Sequence, residues 1–133
     1  MVNFAFDYFV MVAIAATGGL QITAAVAGLN GLLFVRPPSF AIGLGGVLVL
    51  AGYVVFFATT DRNINDFEGG LDGNVQFMLF AAGAASATLL TFVISSLVNR
   101  RMRAPDGSGT GFDALQRANF FSALRWSLSS WRG

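Results

Sequence analysis

The 133-residue chain contains no histidine and no cysteine, and each absence removes a body of chemistry. Without imidazole it has no histidine ligand for haem or zinc and no serine-histidine-aspartate triad. Without thiols it has no thiolate-bound cluster, no cysteine nucleophile and no disulfide, so cysteine usage says nothing about a redox compartment. Lysine is missing too, and all eight basic residues are arginines. Charge of either sign is scarce: Asp, Glu, Lys and Arg make up 11% of the chain, less than half of the about 25% usual in globular domains. The net charge of +1 lacks the basic surplus of a nucleic-acid-binding surface, so no nucleic-acid partner is expected. A soluble fold this small must keep much of its surface in water. With 55% hydrophobic residues, an all-α membrane protein is the expected class.

Three long runs without charge organise the chain. Tyr8 to Val35 lies between Asp7 and Arg36 and exceeds the about 20 apolar residues that cross a bilayer. Its flank carries an acid and no base, and its length exceeds a signal-peptide core, so it is expected to be a retained span. Pro37-Pro38 should break the helix, with Ser39 capping the next one. Phe40 to Thr60 forms a second run of 21 residues, about 31 Å as a helix. Asp61 to Gly73 follows as a polar loop containing Asp61, Arg62, Asp66, Glu68 and Asp72. Val75 to Val98 is the third run, ending at Asn99-Arg100-Arg101-Met102-Arg103. No stretch alternates with period two over the length of a strand, which excludes a membrane β-barrel.

These runs predict a three-helix transmembrane domain over 1–103, with spans at about 8–35, 40–60 and 75–98. A flexible linker is expected over 104–111, and an amphipathic helix over 112–133. Six arginines, Arg100, Arg101, Arg103, Arg117, Arg125 and Arg132, follow the third span. The positive-inside rule then puts the C-terminus in the cytoplasm and the N-terminus outside a plasma membrane, with Arg36 on the inner side.

Helix association in lipid relies on small residues that admit close backbone approach. Gly83, Ala87, Thr91 and Ser95 recur every four residues in the third span. Ala15 with Gly19, Ala24 with Gly28 and Ala27 with Gly31 do so in the first, and Ala41 with Gly45 in the second. These seams are expected either to hold the chain's own helices together or to receive those of another protein. Aromatic residues gather at the start of the first span (Phe4, Phe6, Tyr8, Phe9) and the end of the second (Tyr53, Phe56, Phe57). They read as lipid-facing bulk near the headgroups.

Within the spans between these flanking charges there is no ionisable group of the kind that serves proton or ion relays. The intramembrane polar candidates are Thr17 and Gln21, with Thr23, Asn30 and the hydroxyls of the third span as lesser ones. Thr17-Gly18-Gly19 ahead of Gln21 admits a broken helix lining a path, whereas the commoner role is a hydrogen bond to a neighbour. In the polar loop, Asp61, Asn63, Asn65 and Asp72 loosely follow a calcium-loop spacing. Asp66 stands where that loop needs glycine and Asp72 where it needs glutamate, so no metal site is assigned.

At 100° per residue, Phe120, Phe121, Leu124, Leu128 and Trp131 share a stripe flanked by Arg125 and Arg132. Such a helix suits the inner headgroup layer or the surface of a neighbouring subunit. No catalytic residue and no cofactor of its own is expected, and a bound lipid is the one small molecule left open. The function expected is a non-catalytic accessory or structural subunit of a larger integral membrane complex, such as a respiratory or photosynthetic one. Its partners would be the lipid bilayer and other integral membrane subunits. The alternative is a small homo-oligomeric channel or transporter lined by Thr17 and Gln21. A pigment- or lipid-organising protein is a third class, which an absorption spectrum separates from the others.

Overall fold

A computed structural model describes residues 4–58, 71–102 and 112–132, and the described residues contain helices and no strand. Helices α1 (Phe4–Val26), α2 (Pro38–Ala58) and α3 (Gly73–Val98) are each long and apolar enough to cross a membrane. Two shorter helices follow, α4 (Phe112–Leu115) and α5 (Phe120–Ser130). Most of the polar loop and the linker lie outside the described residues, and with them Asp61, Asn63, Asn65, Asp66 and the calcium-like spacing.

The first apolar run is not one helix. α1 stops at Val26 because Gly28, at φ +70°, takes the left-handed conformation that only glycine adopts cheaply. Leu29 N–H then donates to the Ala24 carbonyl at 2.8 Å and Gly28 N–H to that of Ala25 at 3.3 Å. This is the two-bond closure of a Schellman motif, with Leu29 packed against Ala24 as its apolar clasp. The rest of the run returns as a single 3-10 turn, Asn30–Leu32, an extended residue at Leu33 and a bent segment over 34–37.

The second helix corrects the expected cap. Pro38 is its first residue, where a missing N–H costs nothing, and the Pro37 carbonyl accepts from the Phe40 N–H at 3.0 Å. Ser39 is therefore inside the helix. Asp72 caps α3, its carboxylate accepting from the Asn74 N–H at 2.8 Å. The tail is two helices, not the one expected over 112–133, because Asn119 caps α5 by accepting from the Ser122 N–H at 2.8 Å.

α1 is the centre of an open layer. It packs against both α2 and α3, and no comparable interface joins those two. On the α2 side a Cβ added at Gly18 would fall 2.5 Å from the Gly45 carbonyl oxygen, and one at Gly45 would fall 2.5 Å from that of Gly18. The backbones meet there with no room for a methyl group. One turn pair further, Gly52 lies against Met11 and Ala15. On the α3 side Gly83 faces Val12 and the Phe9 carbonyl. The far end of the α1–α2 pair is closed by edge-to-face rings, Phe56 meeting Phe4 at 5.6 Å and Tyr8 at 6.3 Å.

Candidate functional site

The most elaborate polar arrangement lies where α1 ends, α2 begins and α3 ends. It exists because the apolar return segment over 29–37 is irregular and cannot satisfy its own backbone. A buried carbonyl or N–H without a partner costs about 1–3 kcal/mol, and side chains from α1 and from the end of α3 supply the missing bonds.

Gln21, on the last full turns of α1, has no exposed surface. Its Nε2 donates to the Leu32 carbonyl at 3.1 Å and its Oε1 accepts from the Phe34 N–H at 2.8 Å. One amide therefore grips both sides of Leu33, which is itself fully buried. From α3, Asn99 Nδ2 donates to the Leu33 carbonyl at 2.7 Å and the Gly31 carbonyl at 3.5 Å. Asn99 Oδ1 accepts from the Arg36 guanidinium at 3.1 Å. From the tail, Asn119 Nδ2 donates to the carbonyls of Asn99 at 3.2 Å and Met102 at 3.3 Å. Three buried amides thus tie α1, the return segment, α3 and α5 into one network.

Packing follows the same path. Gly31 lies so close to the Leu115 and Ala118 carbonyls that a side chain there would collide with both. Ala114, Leu115, Ala118 and Ala123 form a small core with Leu29, Leu32 and Phe120 around it. Phe120 stacks flat on Phe92 of α3, centroids 3.9 Å apart. The α4–α5 unit is therefore seated on the return segment and the end of α3.

The residues singled out from the sequence divide between this site and the helix contacts. Gly45, Gly83, Ala87, Thr91 and Ser95 are all buried. Gly19 is not in contact: nothing lies within 4 Å of where its Cβ would be, and Gly18 makes the close approach instead. Gly28 ends α1 and lines no seam. Thr17 Oγ1 donates to the Ala13 carbonyl of its own helix at 2.8 Å. Of the tail stripe, Phe120 turns inward, whereas Phe121, Leu124, Leu128 and Trp131 are exposed, as are Arg125 and Arg132.

Reasoning from sequence missed Gly18, Asn99 and Asn119, and it paired Gly31 with Ala27 within a helix where the structure sets Gly31 against the tail. The two asparagines had a signal: Asn99 closes an apolar run just before the arginines, and Asn119 precedes one, both positions where asparagine caps helices. Gly18 had none, since either member of the Gly18-Gly19 pair serves equally until the partner helix is in place. Chemically, the site is a structural clamp. Its amides are donors and acceptors already engaged by backbone, and among the described residues no group of three acidic side chains gathers as a metal site would require. Comparisons of the chain with models of protein families, with curated proteins and with solved structures return no match.

Proposed function

We propose that the chain spans the plasma membrane three times as a non-catalytic accessory or structural subunit of a larger integral membrane assembly. The observation that carries this reading is the uneven use of glycine. Gly18, Gly45, Gly52 and Gly83 are taken up by contacts inside the chain, but Gly19 on α1 and Gly46 on α2 face open space. A glycine inside a helix gives up about 0.8–1.0 kcal/mol relative to alanine. Among membrane helices the return for that cost is close approach by another helix.

The location of Gly19 fits such a use. At 100° per residue, the α1 stripe facing α2 (Met11, Ala15, Gly18, Ile22) and the pair facing α3 (Phe9, Val12) are separated by about 120°. Gly19 falls between them, in the furrow that α2 and α3 leave along α1. Thr23 and Val26 continue the same line and are exposed. A helix from another subunit laid in that furrow would meet backbone with no side chain in the way.

The N-outside, C-inside orientation is supported by the Arg36–Asn99 contact, which draws the first-loop arginine to the same end as the arginines after α3. In the tail, the outward Phe121, Leu124, Leu128 and Trp131 with Arg125 and Arg132 suit α5 to the inner headgroup layer or a neighbouring subunit. The channel alternative has less support, because Gln21 is wholly enclosed and bonded to Leu32 and Phe34.

Isolation of the full-length chain in mild detergent, from the membranes of cells that make it, tests the reading. Integral membrane proteins should copurify in fixed stoichiometry. Gly19→Leu, which meets nothing inside the chain, should release them without altering the chain's own thermal unfolding. A wild-type chain that runs alone, or a Gly19→Leu chain that keeps every partner, refutes it.

A further inference from the structure

We propose that the cleft between Arg36 and the end of α3 is a binding site for the headgroup of an anionic phospholipid. The inference rests on the membrane-spanning reading above and adds to it a specific ligand and site. The cleft has a volume of about 400 Å³ and is lined by Arg36, Val98, Asn99, Arg101 and Met102. Two guanidinium-bearing side chains from separate parts of the chain thus border one hollow, with apolar residues at its edge.

Arg36 is held in place there. It donates to Asn99 Oδ1 at 3.1 Å, and Asn99 is itself fixed by its bonds to Leu33 and by the Asn119 amide on its carbonyl. A guanidinium carries five N–H donors, so one bond to an amide leaves the rest for a ligand. Both Arg36 and Arg101 are exposed, and among the described residues neither takes part in an ion pair. A phosphate offers several acceptor oxygens, two of which the planar guanidinium fork can engage at once.

Depth and surroundings favour a lipid over a soluble anion. Arg36 stands two residues before α2 begins and Arg101 three residues after α3 ends, the level at which a bilayer's phosphates lie beside spanning helices. Basic pockets at helix ends on the cytoplasmic side are a recurrent place for anionic headgroups. Apolar surface continues from both arginines toward the hydrocarbon. Val35 opens onto a furrow lined by Phe40, Gly43 and Leu44 on α2, and Leu97 and Val98 are exposed on α3. Acyl chains attached to a phosphate in the cleft would lie along these flanks. The general charge is favourable as well, since after Asn99 the sequence has six arginines against two carboxylates, Asp106 and Asp113.

Native mass spectrometry of the detergent-solubilised full chain, titrated with phosphatidylglycerol, phosphatidylcholine or inorganic phosphate, decides the matter. Phosphatidylglycerol should be retained preferentially. Arg101→Gln, which removes no hydrogen bond within the chain, should weaken that retention about fivefold, and Arg36→Gln with Arg101→Gln about thirtyfold. Arg62→Gln, in the polar loop ahead of α3, should leave it unchanged. Equal retention of the two lipids, or an Arg101→Gln chain that holds phosphatidylglycerol as the wild type does, overturns the proposal. Displacement of phosphatidylglycerol by millimolar inorganic phosphate also overturns it, by assigning the cleft to a free anion. If the chain dissolves without any amphiphile, the spanning reading itself falls, a result separate from a detergent-requiring chain that shows no lipid preference.

Discussion

Replacing Gln21 with leucine removes both halves of the grip on Leu33. The Leu32 carbonyl loses its donor at 3.1 Å and the Phe34 N–H its acceptor at 2.8 Å, at a place where Gln21 is 0% exposed and water does not substitute. Each orphaned group costs about 1–3 kcal/mol, so the pair amounts to about 2–6 kcal/mol before relaxation. A local loss of about 3 kcal/mol, at 1.4 kcal/mol per factor of ten, corresponds to amide exchange about a hundredfold faster or more. Hydrogen exchange followed by mass spectrometry in detergent reads this directly. The peptide covering 29–36 should lose protection by about two decades, while the middle of α2, held by the Gly18–Gly45 approach, should keep its own. Because the effect is confined to the return segment, the loss appears there before any shift in global unfolding. A Gln21→Leu chain whose Phe34 amide exchanges as slowly as in the wild type would refute the assignment of Gln21 as the clamp.

Two further substitutions probe the same architecture. Asn119→Ala removes the cap of α5 together with the bonds to Asn99 and Met102, a loss of about 1–2 kcal/mol from the cap alone. Trypsin should then cleave after Arg125 several-fold faster, with α1 to α3 unaffected, and an unchanged cleavage rate would count against the docking of the tail. Thr91 Oγ1 is buried with no hydrogen-bond partner, so Thr91→Val should leave thermal stability unchanged or raise it by up to about 1 kcal/mol. A drop of more than 1 kcal/mol would mean that the hydroxyl has a partner outside the chain.

Hydropathy located the three long helices because an uncharged run of sufficient length is a property of composition alone. It misjudged the end of the first one for the same reason. Leu29, Leu32, Leu33, Phe34 and Val35 are as apolar as any helix interior, and nothing in their character separates a return segment from further helical turns. The information lay in one residue, Gly28, whose left-handed φ ends α1. Read as half of a small-residue pair with Ala24, it extends the helix; read as a C-terminal cap, it stops it. Spacing alone does not choose between these, since Ala24 and Gly28 are four apart on either reading. In the tail the break at Asn119 was legible: at 100° per residue Phe112 lies about 80° and Leu115 about 140° away from Phe120, so the apolar phase changes across Asn119.

The polar residues acquire their meaning from that misjudged end. Were the first span a continuous helix to Val35, Gln21 would be a lone amide at mid-depth and a fair candidate for a path. With α1 ending at Val26, the same side chain stands beside a backbone that needs it, and Asn99 and Asn119 complete the supply. Irregular backbone near a bilayer is tolerated where protein side chains satisfy it, and here the amides of three separate helical segments do so. The clamp also fixes Arg36 against Asn99, so a break in one apolar run is what turns a loop arginine and a tail arginine into the two walls of one cleft. The proposed headgroup site therefore depends on the position of Gly28 as much as on either arginine.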